Sequence, residues 1–230
     1  MPYQSKISII MPVFNEAKVL RNTLSRIKLT ADEELIVVDG GSTDETLSIA
    51  KEFTEKVFAA QTGRASVMNY GAEKADGEIL LFLHADCILP VQGFKIIRET
   101  LTEKGAIAGG FYISIDQQGP GFRLIEYMAN LRARFTSLIY GDQGMFLNKK
   151  TFNRVKGFKD IPLMEDIEIS RKLIKLGRIA FVKRPIKVSA RRWLVEGPVY
   201  TTLRDWAISF SYTFLGSSPE KLSKHYKNVR

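Results

Sequence analysis

Four apolar runs in the first 90 residues are each followed by side chains suited to binding phosphate, hydroxyl groups or a metal ion. These side chains are Asn15 and Glu16 after the run 7–11, Asp39 after 35–38, Arg64 after 57–60, and His84 with Asp86 after 79–83. Carboxylates accept hydrogen bonds from ribose hydroxyls or hold a hard divalent cation, and arginine matches phosphate oxygens with paired hydrogen bonds. The set predicts a site for a ligand that carries hydroxyls and a diphosphate, together with a divalent cation.

A simpler interpretation exists for each of these residues taken singly. Polar residues after a strand are commonly turn or cap residues. Asp86, for example, could cap a helix that starts near Pro90. Four consecutive strand ends with the same character make this interpretation weaker for the set than for any one member.

The apolar runs themselves predict the elements that position these side chains. The run 79–83 is short, follows Asp76-Gly77 and precedes Pro90, which favours a buried strand over a helix. Strands buried on both faces are typical of parallel sheets, whose ligands bind beyond the carboxyl ends of the strands. Helical patterns separate the four runs, and Ser42 with Glu45 has the spacing of a capping box for the second helix. The first half is therefore predicted as a doubly wound, mostly parallel α/β sheet of Rossmann type.

The second half does not continue the regular alternation of strands and helices. It predicts a helix from 90, a strand over 107–115, a long helix over 122–139, a short strand over 145–147, a helix that opens at Glu165-Asp166, and a strand over 179–182. Acids at a helix N-terminus are stabilised by the helix dipole in any protein, so this position alone does not assign Glu165 or Asp166 a function.

Composition excludes several kinds of site. The chain has 230 residues, 45% of them hydrophobic, with one cysteine and two histidines, so neither a disulfide framework nor a zinc cage of cysteines or histidines can form. No run reaches the length of a membrane span, and the N-terminus has no signal pattern. We therefore expect a cytoplasmic protein that is either soluble or peripheral on the inner face of the membrane.

The formal net charge of +9 indicates an anionic partner, such as a nucleic acid, an anionic membrane surface or a phosphorylated substrate. No zinc finger, aromatic RNA-binding strand or basic zipper accompanies the basic residues, so no nucleic acid is expected. The chain also lacks G-x-G-x-x-G after its first strand and has no P-loop, which argues against a dinucleotide or P-loop nucleotide site.

An ordered set of short motifs resembles the family 2 glycosyltransferases of the GT-A fold over roughly residues 5–195. The motifs are Pro12-Val13-Phe14-Asn15-Glu16, Val37-Val38-Asp39-Gly40-Gly41-Ser42-Thr43-Asp44, Gly63-Arg64 with Asn69 and Gly71, His84-Ala85-Asp86, and Glu165-Asp166. The resemblance implies a GT-A domain over 1–195, with a nucleotide-sugar half (1–116) and an acceptor half (117–195).

The resemblance also implies roles for individual residues. Pro12, Asn15, Glu16 and Asp39 would line the base and ribose pocket. Asp86 would hold Mg²⁺ or Mn²⁺ against the diphosphate, assisted by Arg64 or Arg191.

On the acceptor side, Asp166 would be the general base, and Asp142, Gln143 and Glu165 would contact the acceptor. The implied reaction is an inverting transfer from a UDP- or GDP-sugar to an acceptor hydroxyl, a lipid-linked hydroxyl included.

The chain departs from the family pattern at three places. His84 replaces the first acid of D-x-D. It could bind the metal directly, but contact with the sugar or support of the metal ligand is favoured. Gly40 replaces the second acid of Asp-Asp-Gly-Ser. The Q-x-x-R-W motif of processive synthases is missing, although Arg191-Arg192-Trp193 lies near its place. A single-transfer enzyme is therefore favoured over a polymerase.

Two other functions remain open from sequence. A sugar-phosphate nucleotidyltransferase would share the α/β layout but needs a glycine- and lysine-rich loop after the first strand, which the segment 12–16 does not provide. A nonenzymatic basic protein that binds RNA or an acidic partner would account for the charge alone.

The segment 196–230 is predicted as a helical, basic tail. One face of an amphipathic helix over 199–215 carries Val199, Leu203, Trp206, Ala207, Phe210 and Phe214, and Lys221, Lys224, Lys227 and Arg230 follow. This helix could pack on the domain or on a second copy in a homodimer, or it could lie on an anionic bilayer as a peripheral membrane contact.

Overall fold

The structure is a computed structural model that describes residues 5–60, 63–103 and 105–226. Its centre is one eight-stranded sheet with the strand order β3-β2-β1-β4-β7-β6-β8-β5. The strands are β1 (Ile7–Val13), β2 (Glu33–Asp39), β3 (Val57–Ala59), β4 (Ile79–Phe82), β5 (Cys87–Ile88), β6 (Ala108–Ile115), β7 (Met145–Asn148) and β8 (Ile179–Val188).

The helices alternate with the strands through the first half and gather at the end of the chain. They are α1 (Ala17–Leu24), α2 (Thr46–Lys51), α3 (Arg64–Lys74), α4 (Gly93–Thr102), α5 (Pro120–Thr136), α6 (Lys149–Arg154), α7 (Glu165–Ile174), α8 (Arg191–Glu196), α9 (Pro198–Phe214) and α10 (Pro219–Ser223). A single turn of 3₁₀ helix, Gly141–Gln143, precedes β7.

The predicted parallel half is confirmed. β1 pairs in parallel with β2 and with β4, and β2 pairs in parallel with β3. Every residue of β2 and β4 is buried, because helices cover both faces of the sheet. The carboxyl ends of these strands therefore meet at one edge, from which Asn15, Asp39 and Asp86 emerge.

The second half continues the same sheet. β7 runs antiparallel to both β4 and β6, while β6 and β8 are parallel to each other. The predicted boundary at residue 116 thus falls within one continuous sheet, and α8 crosses the predicted boundary at 195. Both boundaries remain predictions.

Two hydrophobic clusters lie on opposite faces of the sheet. Residues of β1 alternate between them: Ile7, Ile9 and Met11 lie in one cluster, and Ile10 lies in the other with Leu80 of β4. This alternation follows from the two-residue period of a strand.

Two local predictions and one alternative interpretation, that of Asp86 as a helix cap, need correction. Ser42 does not cap α2: its hydroxyl contacts the Asp39 carboxylate, and the helix begins only at Thr46. Asp86 does not cap α4, since that helix begins at Gly93 and β5 lies between them. β8 runs to Val188 rather than ending at 182, because a bulge accommodates the segment 183–185.

The tail is helical over α8, α9 and α10. Lys227 and Arg230, which belong to the predicted basic cluster, lie outside the described residues. The apolar stripe of α9 faces away from the domain: Leu203, Phe210 and Phe214 are 60%, 55% and 71% exposed, whereas Ile208 on the opposite face is 5% exposed. The stripe therefore does not pack on the domain. In the part of the chain that the structure describes, no helix has the length and apolar character needed to cross a bilayer.

Candidate active site

The strand ends bring most of the predicted residues to one edge of the sheet, where Arg64 lies at the centre. Its Nη2 contacts His84 Nε2, and its Nε lies 3.1 Å from Glu165 Oε1. A guanidinium only donates, so this contact is a hydrogen bond when His84 Nε2 carries no proton. Burial alone would lower the pKa of Arg64, but the negative charges of Glu165 and Asp166 raise it. Arg64 is therefore a permanent cation between His84 and Glu165.

His84, Asp86 and Cys87 form a group that could hold a metal ion, since one ligand atom from each lies within 4.8 Å of the others. The Cys87 thiol lies 3.8 Å from Asp86 Oδ1 and 3.7 Å from the Asp142 carbonyl oxygen. Burial, and after it the charge of Asp86, raises the pKa of this thiol well above its usual value. Without a metal the thiol stays protonated, so the imidazole and the carboxylate are the ready ligands.

Arg191 connects the C-terminal helices to this group. It donates from Nη1 to Glu16 Oε2 at 2.9 Å and from Nη2 to Asp86 Oδ2 at 3.3 Å. α8 begins at Arg191, which places the guanidinium over the ends of β1 and β4. The two ion pairs hold together the carboxylates predicted for ribose and metal binding.

The loop after β2 is built around Asp39, which is 2% exposed. Its carboxylate accepts hydrogen bonds from the backbone N–H groups of Gly41 at 3.0 Å and Ser42 at 2.9 Å. Asn15 completes the loop, because its side-chain Oδ1 accepts from the backbone N–H of Thr43 at 2.8 Å and its backbone N–H donates to Ser42 Oγ. Asp39 and Asn15 thus shape the predicted nucleotide pocket, and half-buried Pro12 lies beside them on β1.

Asp166 is held at the first turn of α7 by two backbone amides. Oδ2 accepts from Gly141 and Oδ1 accepts from Ile167, both at 2.8 Å. The side chain is only half-buried, unlike Glu165 beside it. Asp166 is therefore fixed in orientation and still partly accessible to solvent.

The three predicted acceptor contacts lie close to Asp166 but differ in their accessibility. Glu165 is buried against Arg64, and burial raises its pKa. Gln143 is buried too, and its Oε1 accepts from the Tyr140 amide at 2.8 Å. Asp142 has a buried Oδ1 with no hydrogen-bond partner among the described residues, and burial raises its pKa. Gln143 Nε2 also has no hydrogen-bond partner among the described residues, whereas Glu165 Oε1 is paired with Arg64. The contacts of Asp142, Glu165 and Gln143 with an acceptor stay predictions.

Sequence reasoning missed Cys87, Arg132 and Tyr140 at this site. The Arg132 guanidinium lies 3.5 Å from the centroid of the Tyr140 ring. Burial raises the pKa of Asp142, and the positive charge of Arg132 partly offsets this rise. Cys87 was visible as the residue directly after Asp86. The pairing of Arg132 with Tyr140 had no sequence signal, because α5 and the 3₁₀ turn come together only in the fold.

A family model described as glycosyl transferase family 2 matches residues 8–159, which is more than half of the chain. The chain belongs to this family. A curated relative, an uncharacterised glycosyltransferase of Rickettsia felis, is 28% identical over 199 residues, which cover 78% of this chain and 33% of the relative. This family 2 chain therefore spans about a third of that relative's length.

Solved structures share the fold of this family 2 chain. Mannosyltransferase PcManGT from Pyrobaculum calidifontis, in complex with GDP-Man and Mn²⁺, has a TM-score of 0.70 at 18% identity, covering 100% of this chain and 67% of that one. Glucosyl-3-phosphoglycerate synthase from Mycobacterium tuberculosis, with Mn²⁺ and UDP-glucose, has a TM-score of 0.60 at 20% identity, covering 87% and 78%. The predicted GT-A fold is confirmed. The predicted divalent cation has support from these complexes and from the His84, Asp86 and Cys87 group.

Proposed function

We propose that this chain transfers a sugar from a UDP- or GDP-sugar to an acceptor hydroxyl with inversion at the anomeric carbon. The observation that carries the proposal is the placement of Arg64 between two groups: His84 with Asp86 on the donor side, and Asp166 on the acceptor side. A displacement needs a leaving-group side and a base side, and the closeness of these residues supports the proposal that both lie within one site.

On the donor side, the diphosphate is a leaving group that gains negative charge as its bond to the sugar breaks. Arg64 and Arg191 are the cations at this edge, and either guanidinium can bind two phosphate oxygens. Glu16 and Asp39 lie at the ends of β1 and β2, where the ribose and base would bind. The UDP- and GDP-sugars bound to the structural neighbours belong to the same class of donor.

The donor set near the diphosphate fits a divalent cation. Asp86 would provide a carboxylate ligand and His84 an imidazole, and a cation bound there would neutralise charge on the leaving diphosphate. Carboxylates suit both Mg²⁺ and Mn²⁺, whereas an imidazole nitrogen binds Mn²⁺, the softer of these two ions, more readily than Mg²⁺. We therefore expect Mn²⁺ to support the reaction better than Mg²⁺.

On the acceptor side, Asp166 takes the proton of the acceptor hydroxyl as that oxygen attacks the anomeric carbon. The new bond joins the acceptor oxygen to the sugar, the bond between the sugar and the diphosphate breaks, and the electron pair leaves with the nucleoside diphosphate. The amides of Gly141 and Ile167 orient the carboxylate for this proton transfer. Asp142, with its unpartnered oxygen, would accept a second hydrogen bond from the acceptor.

A lipid-linked hydroxyl is the acceptor class that we favour. The support is the outward apolar stripe of α9, a helix whose inner face touches the region around Asp166 through Met164 and Ile167. A bilayer against this helix would present a membrane-bound acceptor beside the base.

The first test separates chemistry from donor binding with Asp166→Asn. Asparagine keeps an oxygen for one of the two amides but cannot take the proton, so we expect donor affinity to persist while turnover falls about 10²-fold or more. Glu103→Gln, an exposed carboxylate-to-amide change just after α4, serves as the control and should match the wild type. Near-normal transfer by Asp166→Asn at neutral pH would assign the base to another residue.

The second test concerns the metal carboxylate. Asp86→Ala should abolish Mn²⁺-dependent binding of the nucleotide sugar in calorimetry while the fold persists in circular dichroism. Unchanged affinity with Mn²⁺ present would remove Asp86 from the metal site.

A further inference from the structure

The helices α8 and α9 carry an unusual concentration of exposed apolar side chains. Among the described residues, nine of the fifteen large apolar side chains that are exposed fall between positions 194 and 215. They are Leu194, Val195, Val199, Tyr200, Leu203, Trp206, Phe210, Phe214 and Leu215. Large groups of exposed apolar side chains mark sites of protein–protein or membrane interaction.

The helix α9 is held in place, because its inner face makes hydrogen bonds to the rest of the domain. Tyr212 donates to Glu168 Oε2 at 3.0 Å, and Arg171 donates to the Thr213 carbonyl at 2.9 Å. Ile208 packs in a small core with Ile167. With these contacts in place, α9 cannot turn its outer stripe inward without losing its whole attachment to α7.

The helix α5 extends the apolar character of this region. It packs against α9 and exposes Leu124, Tyr127 and Phe135, which recur on one helical face. α5 also exposes Arg123 and Arg134 among them. Apolar and aromatic residues interspersed with cations are typical of helices that lie in the interface of an anionic membrane.

Charge distinguishes between the two occupants that an apolar face could have. The helix α10, which packs beside α9, exposes Glu220 and Lys221, and Lys224 is exposed directly after it. The chain as a whole has a net charge of +9. A symmetric dimer would bring the same patch of both copies together and oppose like charges, whereas an anionic bilayer attracts them. We propose that the outward faces of α9 and α5 form a docking surface for an anionic lipid bilayer.

The docking surface lies next to the candidate active site. Ser209 on the inner face of α9 is hydrogen-bonded to the Tyr140 hydroxyl. Gly141, the residue after Tyr140, donates its backbone N–H to Asp166. A helix is about 10 Å across, so the bilayer surface would lie roughly that far from the acceptor region. Docking does not depend on the proposed transfer reaction, and it can be measured without any donor.

The experiment is co-sedimentation of the full chain with vesicles at low salt. We expect binding to phosphatidylcholine vesicles that contain phosphatidylglycerol and little binding to phosphatidylcholine alone. The double variant Leu203→Ser/Phe210→Ser should bind at least about tenfold more weakly, since both side chains lie on the outer stripe. Val91→Ser removes a side chain that is 81% exposed outside the surface, and it should bind like the wild type.

Two further measurements keep the outcome decisive. Lys221→Glu/Lys224→Glu should reduce the preference for anionic vesicles, and thermal unfolding should show that all variants are folded. If the wild type binds no vesicles, or if Leu203→Ser/Phe210→Ser binds as well as the wild type, the proposal is wrong. Sedimentation velocity without lipid tests the alternative occupant. If the wild type is a dimer and Leu203→Ser/Phe210→Ser is a monomer, the surface binds a second copy of the chain and the proposal is wrong.

Discussion

Gly141 makes room for the central arginine of the site, and Gly141→Ala tests whether that arrangement matters for catalysis. A Cβ at this position would lie 2.0 Å from Arg64 Nη2 and 2.7 Å from His84 Cε1, whereas ordinary contact begins at 3.4 Å. Arg64 would have to retreat by more than about 1 Å, and displacements of this size can lower catalysis about 100-fold. The end of an arginine side chain moves easily, so we expect less than about 1 kcal/mol of lost stability.

The assay compares steady-state transfer with urea unfolding for Gly141→Ala and for Gly121→Ala. Gly121 lies in α5, and a Cβ there meets nothing within 4 Å, so the control should keep full activity and gain stability slightly. The expected result is a drop of about 10²-fold in kcat for Gly141→Ala with a nearly unchanged unfolding midpoint. Wild-type kcat in a folded Gly141→Ala protein would refute the role of Arg64, and loss of folding would refute the view that only side-chain ends must move.

Two further predictions address the metal and the stability of the sheet. His84→Asp restores the first acid of D-x-D, so the ratio of activity with Mn²⁺ to activity with Mg²⁺ should fall at least about tenfold; an unchanged ratio would exclude His84 as a ligand. Burial alone would raise the pKa of Glu34, but hydrogen bonds from Lys56 and Ser8 lower it to about 2. Above pH 4.5 the ionised Glu34 carboxylate therefore stabilises the folded state by on the order of 3 kcal/mol, and this stabilisation is lost as the pH falls towards 2. Chemical unfolding should show a smaller loss of stability over this range in Glu34→Gln than in the wild type, and equal losses would contradict the assignment.

The strands were predictable from sequence where burial alone determines them. β4 is a run of apolar residues between turn signals, and β2 has the same character, so their positions follow from composition. β5 is only two residues long and exists because Cys87 and Ile88 pair with the far end of β8. No local pattern encodes such a pairing. The extent of β8 was missed because its apolar run ends at Val182, and the exposed residues Lys183, Arg184 and Pro185 that follow are accommodated by a bulge.

The candidate site was predictable as a set of positions but not as a set of contacts. The carboxyl ends of parallel strands share an edge, which was sufficient to bring Asp86 and Arg64 together. The ion pair of Arg64 with Glu165 joins α3 to α7, and no sequence pattern relates two residues so far apart. Ser42 shows the opposite case: it fits the spacing of a capping box, but a buried carboxylate three residues earlier competes for its hydroxyl.

The contact of Arg191 with Glu16 has a consequence for how the protein is made. These residues are 175 positions apart, and the arginine lies beyond the segment that the family model matches. A ribosome adds roughly 5–20 residues per second, so Glu16 exists for about ten seconds or longer before its partner is synthesised. During that time the parallel strands can pair, but the carboxylates at their ends have no arginine between them. The predicted donor site is thus closed only by a residue that follows β8, and a fragment that ends before α8 would fold its sheet without the arginine that joins Glu16 to Asp86.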